Sequence, residues 1–228
     1  MAKTKEKTTS GNFESKFNAF LGTYKRLIII IAAVLVVALV GLGFGLKAVE
    51  KQADARQLTI DNLQKTYTEW AYSEDKTTTE AQATKEELVT DLSALAEKGG
   101  KTYPVLKADY LLGLIAFDEG EYATALEQFL SVFNRSKETY LGSLSLLNAG
   151  VSSEMLDDNL KAIEYYQQVY DTYGGEAAES PKALFSLARL HEANSNNDLA
   201  KAVLQQLADE FPASEYAKLA KSRLVVFQ

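Results

Sequence analysis

A small residue, an alanine twelve positions on, and a bulky apolar residue four positions later recur three times in this chain. No other feature narrows its possible folds so far. Gly113, Ala125 and Phe129 make the first set; Gly150, Ala162 and Tyr166 the second; Ala188, Ala200 and Leu204 the third, with the alanines 37 and 38 residues apart. Around the first set, Leu111, Leu112, Ile115 and Ala116 fall at helical spacing. Asp118-Glu119-Gly120-Glu121 breaks the pattern, and Tyr122, Ala125, Leu126, Phe129 and Leu130 resume it. A helix, a glycine turn and a second helix cannot bury their apolar faces alone. Tandem recurrence therefore predicts stacked hairpins, an all-α solenoid. The small residues let the two helices of a hairpin approach closely, and a larger side chain there would overpack the contact by ~1–3 kcal/mol.

These sets resemble the tetratricopeptide (TPR) repeat, with a small residue in helix A, an alanine and an aromatic in helix B, and a closing proline. The period here exceeds the usual value of about 34, helix A lacks the tryptophan, and only the third copy closes on a proline, Pro212. The predicted helices cover 104–119 and 122–134, 139–156 and 159–173, then 181–193 and 198–210, within a repeat region of 101–228. A final helix, capped by Ser214 and running to about Phe227, should cover the last open face. Ahead of the repeats, 47–100 reads as an atypical leading hairpin. Val49, Ala53, Ile60, Leu63, Tyr67 and Trp70 lie near heptad spacing, a pattern open to three readings: stalk, self-association seam or first solenoid helix. Leu88, Leu92 and Leu95 line the next helix, which ends at Gly99-Gly100.

Leu27–Leu46 is twenty residues without a charge. As a helix it spans ~30 Å, the hydrocarbon thickness of a bilayer. It exceeds the ~7–15-residue apolar core of a cleaved signal, and no small-residue cleavage site follows, so it is predicted to be an uncleaved anchor. The preceding segment, 1–26, carries six basic residues against Glu6 and Glu14, a net +4, which leaves −11 on the remainder of a chain of net charge −7. That asymmetry predicts a cytoplasmic N-terminus and export of everything after residue 47. Residues 1–12 are polar and are predicted to be disordered. Phe13, Phe17, Phe20, Leu21 and Tyr24 then share a helical face, suited equally to a membrane surface or to a plain extension of the anchor. Gly41 and Gly45 form a GxxxG pair that can bring two anchors together as a homodimer, or that simply reflects how common glycines are in such spans.

The absence of cysteine removes disulfides, thiolate metal sites, a cysteine nucleophile and a lipid-modified cysteine. His191 is the only histidine. It falls where helix A packs on its neighbours, as a satisfied core or half-buried group, so metal ligation and triad chemistry are not expected. Asp118-Glu119 and Asp157-Asp158 lack the spacing of a calcium loop and read as solvated turns. No phosphate loop or nucleophile elbow occurs. Neither an enzyme nor a cofactor is expected, and a body this acidic is a poor binder of nucleic acid.

The TPR resemblance implies a protein-binding groove lined by helix A. Carried over by position, it comprises Tyr110, Leu114 and Phe117 from the first copy, Leu144, Leu147, Val151 and Met155 from the second, and Phe185, Arg189 and Glu192 from the third. These are mostly apolar, which rules against a carboxylate clamp and suits an amphipathic helix or an extended apolar segment. The alternative is that the leading hairpin or the final helix fills the groove. The order of basic stub, single anchor, non-consensus hairpin and exported repeats resembles the YfgM-like family of bacterial inner-membrane proteins. That resemblance implies a periplasmic interaction domain whose partners are the SecYEG translocon, periplasmic chaperones or exported clients.

Overall fold

The computed structural model describes residues 10–227. The polar stretch before Ser10, with Lys3, Lys5 and Lys7, lies outside the described residues, as does the side chain of Phe13; residues 10–12, expected to be disordered, instead form the first turn of a helix that continues into the apolar span. The chain forms two units, Met1–Ala55 and Arg56–Gln228. Helix α1, Ser10–Ala71, runs unbroken for 62 residues from one into the other. In the first unit the described side chains of the apolar span are exposed, and by length and composition this helix suffices to cross a membrane. Its residues 15–26 continue the same helix, with Phe17, Phe20 and Tyr24 exposed and the rings of Phe20 and Tyr24 4.9 Å apart.

The second unit is a stack of helices. Hairpins α3 (Tyr103–Asp118)/α4 (Tyr122–Ser136), α5 (Tyr140–Met155)/α6 (Asn159–Tyr173) and α7 (Ser180–Ala193)/α8 (Asn197–Glu210) follow one another. The last helix is α9, Glu215–Leu224, which passes into a 3-10 turn at Val225–Phe227. No strand occurs among the described residues. The three recurring sets lie at the heart of the hairpins. Ala125, Ala162 and Ala200, with Phe129, Tyr166 and Leu204, are fully buried. A Cβ on Gly113 would stand 2.8 Å from Cε1 of Phe129, and one on Gly150 would stand 2.5 Å from Cε1 of Tyr166. The third copy makes room differently, pairing the larger Ala188 with the smaller Leu204, both buried.

The turns repeat as faithfully as the helices. Gly120, Asp157 and Ser195 occupy the same position and all have positive φ, at 80°, 59° and 59°. In each turn an amide reaches back five residues to a helix A carbonyl: Glu121 to Ala116 (2.8 Å), Asp158 to Ser153 (2.9 Å) and Asn196 to His191 (2.8 Å). This bond satisfies a carbonyl that the helix end would otherwise orphan. Asp158 also caps α6, its carboxylate accepting from the Lys161 amide at 3.1 Å. Ser214 caps α9 in the expected way, accepting from the Tyr216 amide at 3.1 Å.

The leading hairpin joins the same stack. Of the three readings for the heptad-like stretch, burial of Ile60, Leu63 and Trp70 with Leu88, Leu92 and Leu95 matches that of a first solenoid helix. Leu88 and Leu92 of α2, Thr79–Ala96, stand 37 residues before Ala125 and Phe129, so α2 holds the helix B position of a degenerate copy. Thr78 caps it, accepting from the Ala81 amide at 3.1 Å, and Gly99 and Gly100, both at positive φ, end the segment. The acidic turn is more than solvated, since Asp118 pairs with Lys76, and Glu119 with Lys85 at 2.6 Å.

Candidate protein-binding face

The A helices α3, α5 and α7 bring Tyr110, Leu147 and Phe185 into one row, Leu114, Val151 and Arg189 into a second and Phe117 and Glu192 into a third, with Leu144 and Met155 outside these rows, and all are unequally exposed. Tyr110 and Leu147, at 5% and 3% exposure, are sealed between neighbouring copies and do not line an open surface. The Tyr110 hydroxyl accepts from Nδ2 of Asn148 at 2.8 Å, its ring stands 5.7 Å from that of Phe129, and burial pushes its phenol pKa upward. Leu114, Leu144 and Val151 are half-buried, and Met155 is exposed. Phe117 meets the edge of Tyr122 at 5.2 Å, and Phe185 lies 5.8 Å from Tyr216 of α9.

The charged members are engaged. Arg189 donates to Glu154 of the preceding copy, and that carboxylate also accepts from the buried Tyr166 hydroxyl at 2.6 Å. One repeat later, Arg223 of α9 donates to Glu192 at 2.7 Å. The two pairs form a ladder from copy to copy. Where the first copy would contribute the acid it has Phe117, and its neighbour has Val151, so the first rung is apolar. The face thus changes character along its length, from apolar near α3 and α5 to ion-paired near α7 and α9. It ends in an open cavity of about 460 Å³ lined by Phe185, Glu192, Leu219, Arg223, Val226 and Phe227.

His191 is half-buried, but it is not satisfied: its Nδ1 is buried without a protein partner, and burial lowers its pKa. No group of three or more His, Asp or Glu disposed to hold a metal occurs among the described residues. Two features escaped the sequence reading. Lys107 is 7% exposed, its ammonium 5.2 Å from the Tyr110 ring centroid. Asp109, in α3, accepts from Arg135 of α4. Asp109 sits where the other copies have Leu146 and Leu184, and helical periodicity alone does not report a partner on another helix.

Comparison with known proteins agrees with this architecture. The tetratricopeptide repeat family matches residues 182–214, which cover nearly all of α7, the whole of α8 and the loop beyond. The chain is also similar to the photosystem I assembly protein Ycf3 of Cyanophora paradoxa, 29% identical over 108 residues. That alignment takes in 44% of this chain and 60% of the relative, so the chain spans less than two thirds of that protein's length. TPR-like helical hairpins of this kind are protein–protein interaction modules.

Proposed function

We propose that the protein is a non-catalytic interaction module tethered to the bacterial inner membrane by Leu27–Leu46, with its repeats on the exported side. Its role there is to assist translocation, chaperoning or envelope assembly. The observation that carries this reading is the uncharged, exposed helical span leading into a TPR-like stack. Six basic residues before the span set the orientation. Tethering raises the local concentration of the face near any membrane partner, so each contact can be weak. Similarity to a protein named for assembly work supports the same class of role. SecYEG, periplasmic chaperones and exported clients are the partners this reading names.

Topology is tested first. The chain has no cysteine, so single cysteines at Lys3 and Leu199 are clean reporters. In bacterial spheroplasts a membrane-impermeant maleimide should label Leu199→Cys and spare Lys3→Cys; the reverse pattern sinks the reading. Photoreactive residues at Leu114, Val151 and Phe185 then test the face. Crosslinks to translocon subunits, chaperones or exported chains support it. Crosslinks confined to the chain or to a second copy favour a self-associating scaffold with an occupied face.

A further inference from the structure

The turns between helices A and B take three residues in each repeat, 119–121, 156–158 and 194–196, but seven, 72–78, in the leading hairpin. The longer turn is ordered by its own bonds. The Asp75 carboxylate accepts from the Thr77 amide at 2.8 Å and hydroxyl at 2.6 Å, and Nε2 of Gln82 donates to the Lys76 carbonyl at 2.6 Å. Between this turn, the end of α1 and the start of α2 lies an open cavity of about 300 Å³. That is the low end of the range for ligand sites, with room for one long side chain rather than a helix. None of its lining residues belongs to the A-helix rows of the three repeats.

The cavity is acidic. Glu69, Asp75 and Glu80 line it, with no base among the described lining residues. Asp75 stays ionised into the acid range, because the Thr77 hydroxyl and amide hold its pKa below the ordinary value. Glu80 has no ion pair among the described residues, and Glu69 has an exposed one with Lys65 at 3.7 Å. Lys76 stands 4.7 Å from the Trp70 ring centroid, but Asp118 neutralises it. The three carboxylates do not gather as metal ligands would.

A second observation is independent of charge. Trp70 also lines the cavity; it is 3% exposed, and its Nε1–H is buried without a protein acceptor. A buried donor left unpaired is unfavourable, and a ligand that brings an acceptor relieves it. The site therefore suits a group with several donors for separated carboxylates and one acceptor for the indole. A guanidinium presents five N–H donors in a plane, and the peptide carbonyl of the same residue supplies the acceptor.

We infer that this cavity binds an arginine from an extended segment of another protein, its guanidinium among Glu69, Asp75 and Glu80 and its carbonyl accepting from the Trp70 indole. This rests on the interaction-module reading and gives that module a contact outside the groove.

The chain contains a single tryptophan, so its indole N–H resonance reports on this cavity alone. The test uses the full chain in nanodiscs of neutral lipid, with only this chain isotope-labelled at the indole nitrogen. The probe is acetylated, amidated glycyl-arginyl-glycine, and the same peptide with citrulline is its uncharged isostere. A saturable downfield move of the resonance is expected with the arginine peptide, weakening with added salt. The citrulline peptide should bind about tenfold or more weakly, a difference of ~1.4 kcal/mol or more. Glu69→Gln/Glu80→Gln should lower the affinity for the arginine peptide by a similar factor. Both carboxylates are exposed, so an unchanged thermal midpoint assigns that loss to binding rather than folding. A resonance that the arginine peptide leaves unmoved, equal affinity for the citrulline peptide, or indifference to the double variant overturns the inference. So does the same saturable move with calcium chloride alone at lower concentration. If the resonance stays still while photoreactive groups at Leu114 and Val151 capture a partner, the module stands and the arginine site falls.

Discussion

At the scale of single residues, each hairpin is closed by a pair matched in size: glycine with an aromatic twice, alanine with leucine once. Gly113→Ala should therefore destabilise by ~1–3 kcal/mol through overpacking against Phe129. Adding Phe129→Leu, which recreates the third copy's pair, should recover much of that loss, as read by denaturant melts in a double-mutant cycle. Additive losses would show that the two sites do not share one space. The turn position behaves in the opposite sense. Ser195 holds a φ of 59° that glycine adopts freely, so Ser195→Gly should gain about 0.5–1 kcal/mol, whereas Gly120→Ala should lose a similar amount. His191 supplies a pH dependence. Burial holds its folded pKa below the ordinary value of about 6.5, so on acidification the unfolded chain takes up the proton first. Stability should fall as pH drops through that value, and the loss is complete once pH lies below the folded pKa. His191→Leu should flatten this part of the curve between pH 7.5 and 5.5. The size-matched pairs were legible because identity at fixed spacing carries them. The missing partner on His191 Nδ1 was not, since it depends on what neighbouring helices fail to offer.

At the scale of elements, an apolar core holds the stack together and a few charges in register tie the edges of neighbouring copies. Glu192→Gln should weaken the hold of α9 on α7 by roughly 0.5–1 kcal/mol, the range for half-exposed pairs, and less at high salt. Hydrogen exchange across 215–224 should speed up while that of α5 stays unchanged. Exchange spread evenly over the stack would mean the pair does not act locally. The ends of the hairpin helices were readable to within a residue or two because Gly120, Gly99-Gly100, Pro212 and the Ser214 cap mark them, whereas α9 stops at Leu224 and only a 3-10 turn reaches Phe227. The heptad-like stretch was ambiguous for a physical reason: Ile60, Leu63 and Trp70 present the same spacing whether they meet a second copy or their own chain. Only the burial of Leu88 and Leu92 against the same cluster decides between these. Likewise, Asp118 and Glu119 look like any solvated turn until Lys76 and Lys85 are placed beside them, more than thirty residues away in sequence.

At the scale of the whole molecule, the proposed tether and the repeats differ sharply in composition. The span Leu27–Leu46 suits lipid, and the acidic repeats suit water. Leu35→Arg with Leu39→Arg, each ~2.5–3.5 kcal/mol unfavourable at mid-membrane, should move the chain from the membrane pellet to the soluble fraction. Retention in the pellet after carbonate washing would argue against the anchor. The solenoid class was visible from three recurring triplets. The groove was less so: periodicity places Tyr110 and Leu147 on the helix A side, while the tightness of the stack decides that neighbouring copies seal them. Helix α9 keeps the arginine by which α7 grips the preceding copy, Arg223 meeting Glu192 as Arg189 meets Glu154. A hairpin spliced ahead of Pro212 that ends in the same acid would meet α9 through the same pair, so the stack can lengthen by duplication without redesign of that joint.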